Sequence, residues 1–228
     1  MKKKILALCL VVVLAITAVT GATLAYFTDT DKETNVMSFG GVDIDLLEDF
    51  ESNKDFIPGI DNAIKKETTV KNIGEDDAYV RIVYLFEGTY AEVEDYIGYF
   101  VSDDGTNNWE WSMVNEVMTD KKLTGARMIY NADGSVWTIA EAVYQTTLAA
   151  GVETEPSLHK IFLAPTATQE GIEEHFGSEY TIKVLAQGTQ VGEFADAETA
   201  LNTAFGNLHL ASDAEGYVTD ATILGWFE

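Results

Sequence analysis

Over most of its length the chain places an apolar residue at every second position, in short runs rich in Val, Ile, Tyr, Phe and Trp. That is the period of a strand with one buried face. Val42, Ile44 and Leu46 alternate with Asp43 and Asp45, and Thr68 to Ile73 makes another short run that ends at Gly74. Ala78 to Phe86 is apolar on both faces and reads as a central strand. Further strands are expected at Trp109 to Met113, Ala126 to Tyr130, Ser135 to Ile139, Ala142 to Thr146, Leu158 to Leu163 and Tyr180 to Ala186. Asn131-Ala132-Asp133-Gly134 is too short for a crossover and joins its flanking strands as a hairpin. Short strands, glycine-marked turns and few helices predict a mostly β fold, an antiparallel β-sandwich of jelly-roll type with one or two short inserted helices.

Two segments carry the helical spacing instead. Glu92 to Phe100 offers Val93, Tyr96, Ile97 and Phe100 three and four apart. In the second, Asp196 caps a helix over 197–205, Ala197, Leu201, Ala204 and Phe205 form its apolar face, and Gly206 ends it. Beyond Gly206, Ser212-Asp213-Ala214-Glu215-Gly216 reads as a flexible acidic stretch in a tail. That tail holds no second hydrophobic span and no sortase signal.

The start of the chain follows different rules. Lys2, Lys3 and Lys4 precede an uncharged apolar run from Ile5 to Val19, and small residues around Ala22 to Ala25 follow it. A run of 15 residues is short for a stable membrane span, so the pattern is that of an export signal rather than an anchor. Cleavage is expected next to Ala25 or Tyr26, and a small last residue favours Ala25. The only cysteine, Cys9, lies inside this run, so the exported protein has no disulfide and relies on burial and hydrogen bonds. The expected organisation is a signal peptide over 1–25, a leader over 26–39, a sandwich domain over 40–206 and a tail over 207–228.

The signal peptide holds three of the 14 basic residues and none of the 38 acidic ones, leaving 11 against 38 in the exported protein. Such a charge excludes nucleic acid as a partner and disfavours anionic membranes. It also leaves room for weak calcium binding by the acidic surface, the one cofactor expectation. No permanent membrane anchor is expected.

Ala22-Thr23-Leu24-Ala25-Tyr26-Phe27-Thr28-Asp29 is the most specific motif, and Gly41-Val42-Asp43-Ile44-Asp45-Leu46 follows it. Ile57-Pro58-Gly59, Val70-Lys71-Asn72-Ile73-Gly74, Tyr79-Val80-Arg81, Leu148-Ala149-Ala150-Gly151 and Thr154-Glu155-Pro156 complete the set. With these residues the chain resembles the TasA/camelysin family of exported Gram-positive proteins, from Lys2 through Phe86 and more loosely to Phe205. The resemblance implies processing by a signal peptidase of SipW type, a secreted, cell-surface or matrix location, and assembly into fibres of a biofilm matrix. In such fibres the freed N-terminal segment is similar to a donor strand that completes the sheet of the next copy. Here that segment is Tyr26 to Phe39, with Tyr26, Phe27, Val36, Met37 and Phe39 as its anchors. The implied partners are the signal peptidase, other copies of the chain and other matrix proteins. Pro58-Gly59 is read as a turn between the two sheets, and Arg81 as a cation on a strand among acids.

The same resemblance raises the alternative of a secreted camelysin-like metalloprotease. A zinc hydrolase wants a His-Glu-x-x-His helix or three converging ligands, whereas His159, His175 and His209 are spaced 16 and 34 apart. Glu173-Glu174-His175 reads as a solvated acidic turn, and His159 as a surface or interface residue. His209 has no acidic neighbour at ligand spacing. Asp103 to Asn108 lacks the ordered spacing of a calcium loop and reads as a turn. Trp109 and Trp111 share a strand face and read as core residues before a carbohydrate platform. No catalytic, cofactor-binding or metal-ligating residue is assigned. A third alternative is a monomeric surface adhesin module.

Overall fold

A computed structural model describes residues 37–39, 41–51, 56–101, 107–117, 123–177, 179–210 and 212–228. The strands are β1 (Met37–Phe39), β2 (Ile44–Phe50), β3 (Ile64–Asn72), β4 (Ala78–Glu87), β5 (Ile97–Phe100) and β6 (Trp109–Met113), followed by β7 (Asn115–Val117), β8 (Leu123–Ala126), β9 (Met128–Tyr130), β10 (Val136–Tyr144), β11 (Leu158–Leu163) and β12 (Ile182–Gln190). The helices are α1 (Tyr90–Tyr96), α2 (Gln169–Phe176), α3 (Ala197–Phe205) and α4 (Asp220–Gly225). One sheet runs β1-β12-β4-β10-β6, with β9 also on β10; a second runs β2-β3-β11-β5; β7 and β8 make a ribbon. All ladders are antiparallel except β1 with β12.

Late strands lie beside early ones: β11 beside β3, and β12 beside β4. The chain also changes sheet between β3 and β4, β4 and β5, and β11 and β12. This is the β-sandwich of jelly-roll type that alternation predicts. Alternation places Ile64, Val70, Val80, Ile82, Tyr84, Phe86, Ile161 and Val184 between the sheets, all buried. Each such side chain contributes roughly 1.5–3 kcal/mol when taken from water. β4 is buried on both faces because a second layer covers its far side. That layer is the C-terminal segment, where Leu208, Val218, Ile223, Trp226 and Phe227 pack on Val83, Leu85, Ile139 and Leu185.

Several boundaries depart from the sequence reading. Ser135 to Ile139 and Ala142 to Thr146 are one strand, β10, which passes through Glu141, a carboxylate that is buried because it meets Arg81. Ala126 to Tyr130 breaks at Arg127, where pairing passes from β7 to β10. The first strand of the second sheet's central pair starts earlier, at Ile64, and leaves Ile73 exposed. β12 runs from Ile182 to Gln190 rather than from Tyr180 to Ala186. Glu92 to Phe100 is helix only to Tyr96. Thr89 and Glu92 form a capping box at the start of α1, and Ile97–Phe100 then pairs with β11. The turn at Pro58-Gly59 does not change sheets, since it lies between β2 and β3 and bonds along β11 at Leu163.

The acidic turn at Glu173-Glu174-His175 is part of α2, capped by Thr168 and anchored by Ile172 and Phe176. The segment read as a tail is folded onto the sheet rather than trailing from it, and includes α4, capped by Thr219. α3 forms over the expected residues, with the Asp196 carboxylate accepting from the Thr199 amide. Gly206 ends it at φ +88°, where a Cβ would lie 2.2 Å from Val218. Only glycine fits that crossing.

Candidate functional site

The edge of the larger sheet is the place where a further strand can add. β12 bonds β4 on one side along its whole length. On its other side β1 pairs in parallel, with Met37 opposite Gln187, Ser38 opposite Gly188 and Phe39 opposite Thr189. Among the described residues, no strand pairs with Ile182 to Ala186 on that side. An edge of this kind presents a row of backbone donors and acceptors to any segment that can lie straight beside it. Ile182, Val184 and Ala186 are fixed in the core, so the edge is held in place from within.

Of the expected donor-strand anchors, Met37 and Phe39 lie in β1. Tyr26, Phe27 and Val36, together with the cleavage residues Ala25 and Tyr26, lie outside the described residues. The end of the leader therefore pairs with the chain's own β12, a partner that sequence reasoning did not name.

Behind this edge sits a buried polar cluster. Gln187, whose backbone faces Met37, accepts at Oε1 from Arg81 Nε at 2.7 Å. Arg81 Nη1 donates to Glu141 Oε2 at 3.4 Å and Asn202 Oδ1 at 3.3 Å, and Nη2 donates to the Gly206 carbonyl at 3.2 Å. His209 Nε2 meets the other Glu141 oxygen at 2.9 Å. Burial pushes the Glu141 carboxyl up, but the His209 bond and the Arg81 charge outweigh it and leave the group below the usual carboxylate range. Burial draws the Arg81 guanidinium down from its ordinary value, and Glu141 opposes that. Arg127 acts in parallel, donating to the Leu208 and Val218 carbonyls and to Asp220 Oδ1. The two arginines thus hold the C-terminal layer against the sheet. Their partners lie 60 to 125 residues away, so only the presence of an arginine inside an apolar strand hinted at them.

The three histidines stay apart. His209 pairs with Glu141, 68 residues away and so beyond any search at ligand spacing, and His175 Nδ1 meets Glu92 Oε1 at 2.9 Å between α2 and α1. His159 is half-buried on β11. Among the described residues no three His, Cys, Asp or Glu side chains converge as a metal site would need. Asp103 to Thr106 lie outside the described residues, while the Asn107 side chain is occupied by the Trp109 amide at 2.6 Å. Trp109 is buried, with its indole N–H on the Glu155 carbonyl at 2.7 Å. Trp111 stacks on Tyr99 at 4.6 Å between the sheets. Both tryptophans are core residues.

A family model described as camelysin metallo-endopeptidase matches residues 1–184. No curated protein matches the chain. The match fits a secreted matrix or protease-like protein of a family usually extracellular or surface-associated. No helix among the described residues is long and apolar enough to cross a membrane. The description implies a bound metal, and the described residues do not fit one: they offer His–Glu pairs at two separate places, and no third ligand beside either.

Proposed function

The chain belongs to the camelysin metallo-endopeptidase family, and we propose that it is a secreted structural protein of the extracellular matrix that polymerises by strand donation. A signal peptidase of SipW type cuts beside Ala25, and residues 26–39 become free to lie along β12 of the next copy. The observation that carries this reading is the parallel ladder between β1 and β12. It gives the leader's end a backbone register on that edge, with further edge from Ile182 to Ala186 for the rest of the leader. Backbone bonds supply affinity, and alternate side chains set register. Asp29, Asp31, Lys32, Glu33 and Asn35 are poor strand formers. Such a segment gains order by joining a partner. Calcium screening of the acidic surface favours the approach of copies, and other matrix proteins can use the same edge.

The test is electron microscopy with light scattering on protein that begins at Tyr26 and on protein that begins at Gly40, each with and without calcium. Ordered fibres from the longer form alone are expected. Identical monomers from both would overturn the proposal. Chelator-sensitive casein cleavage, lost on substitution of His159 or His175, would move the assignment to a metalloprotease.

A further inference from the structure

Among the described residues no layer covers the outer face of the smaller sheet, and its side chains are unlike the rest of this acidic molecule. Phe162, between the inward Ile161 and Leu163, points outward and lies flat over Gly98, where a Cβ would come within 2.1 Å of the ring. Phe100 sits beside it, with ring centroids 5.2 Å apart. Pro58 bridges to Leu163, which sets Ile57 next to Phe162, and the turn that follows carries Ile60. Ile57 is 47% exposed and Ile60 52%. These four residues make an apolar surface at one end of the face.

Charge is mixed along the remainder, where Glu153 beside Lys71 and Glu51 beside Lys65 bring the carboxylates above the lysines in number. Lys65, Lys71 and Lys160 stand on the same face as Asp45, Asp49 and Glu67, with Asp45 opposite Lys71 in the β2–β3 ladder. The whole chain carries a net charge of −24. The lysines interspersed here make this face repel a second copy less than the chain's overall balance of 14 basic to 38 acidic residues would. A face with interspersed lysines and carboxylates is also self-complementary about a two-fold axis, because each copy supplies both partners of every pair.

We infer that this face pairs two copies of the chain, sheet to sheet, with Ile57, Ile60, Phe100 and Phe162 at its apolar end. Four strands spaced ~4.8 Å apart and about seven residues long offer roughly 450 Å² per copy. The contact thus belongs among weak associations, which matter when copies are already held close. It stands apart from strand donation and needs none of residues 26–39.

The test compares the exported form with I57D/I60D and with K160E, all at exposed positions, after circular dichroism has shown each to be folded. Where copies remain discrete, sedimentation equilibrium up to about 1 mM reads the pairing. Where they form filaments, micrographs read side-by-side bundling. Expected are pairing weakened about tenfold, or filaments left single, in both variants. Absence of filaments alone sinks strand donation and leaves this contact standing. Pairing or bundling that both variants retain would overturn it. So would monomers at every concentration, whether or not they bind anionic vesicles or a polysaccharide.

Discussion

The two sheets present opposite outer faces. The larger one is roofed by α3, α4 and the segment between them, and the roof is fastened by Arg81 and Arg127, which are 1% and 3% exposed. The smaller one is bare among the described residues, and its charges are surface pairs such as Lys65 with Asp49 and Glu67. A roofed sheet permits a strand such as β4 to be apolar on both sides; a bare one demands strict alternation, which β3 shows from Ile64 to Asn72. The same residue type therefore has different value on the two faces. A buried cation is committed to its partners, whereas an exposed one is shared with water.

The contrast breaks most visibly at Arg81. Arg81→Met leaves Glu141 buried with His209 alone and is expected to cost about 3–5 kcal/mol, read as a lower urea midpoint. An unchanged midpoint would mean that the cluster does not fasten the roof.

A smaller effect follows acid. The Glu141 carboxyl is depressed in the folded protein, so its contribution is fully present above the unfolded value of about 4.3 and is lost as pH falls through the lower folded value. Stability measured by urea titration should therefore fall more steeply below about pH 4 in the wild type than in E141Q. Equal slopes would place the acid sensitivity elsewhere. On the bare face, Lys65→Ala is expected to leave the urea midpoint unchanged, since its pairs with Asp49 and Glu67 are exposed to water. A clear loss there would erase the distinction between the faces.

What the sequence made legible follows the same division. β6 and β11 run over the residues that period alone predicts, β2 contains the expected Ile44 and Leu46 but starts after Val42 and runs on to Phe50, and α3 is readable from its cap and its glycine. Segments that answer to a distant partner are not. Glu141 interrupts the apolar pattern of β10 because it answers Arg81, and Arg127 breaks an apparent strand because it turns toward Leu208 and Val218. Ile97 to Phe100 imitates helical spacing, although the Thr89–Glu92 capping box and Gly98 were signals for a helix that ends sooner. Thr168 ahead of Ile172 and Phe176, and Thr219 ahead of Ile223, were further cap signals. For the site, only the family resemblance marked the leader as a candidate donor strand, since Asp29, Asp31, Lys32, Glu33 and Asn35 disfavour a strand by themselves. It did not name β12, because a pairing across about 150 residues leaves no local trace.

Strand donation is tested most directly by cysteine trapping, because a chain that begins at Tyr26 has no cysteine of its own. Phe39 and Thr189 are partners in the parallel ladder, and neighbouring strands are close enough for a disulfide. Copies with Phe39→Cys are mixed with copies with Thr189→Cys, allowed to assemble and oxidised. Covalent pairs of the two proteins that appear together with fibres are the predicted result. A mixture that stays uncrosslinked while the double variant closes within a single copy would show that the strand never leaves its own sheet, and would contradict the account.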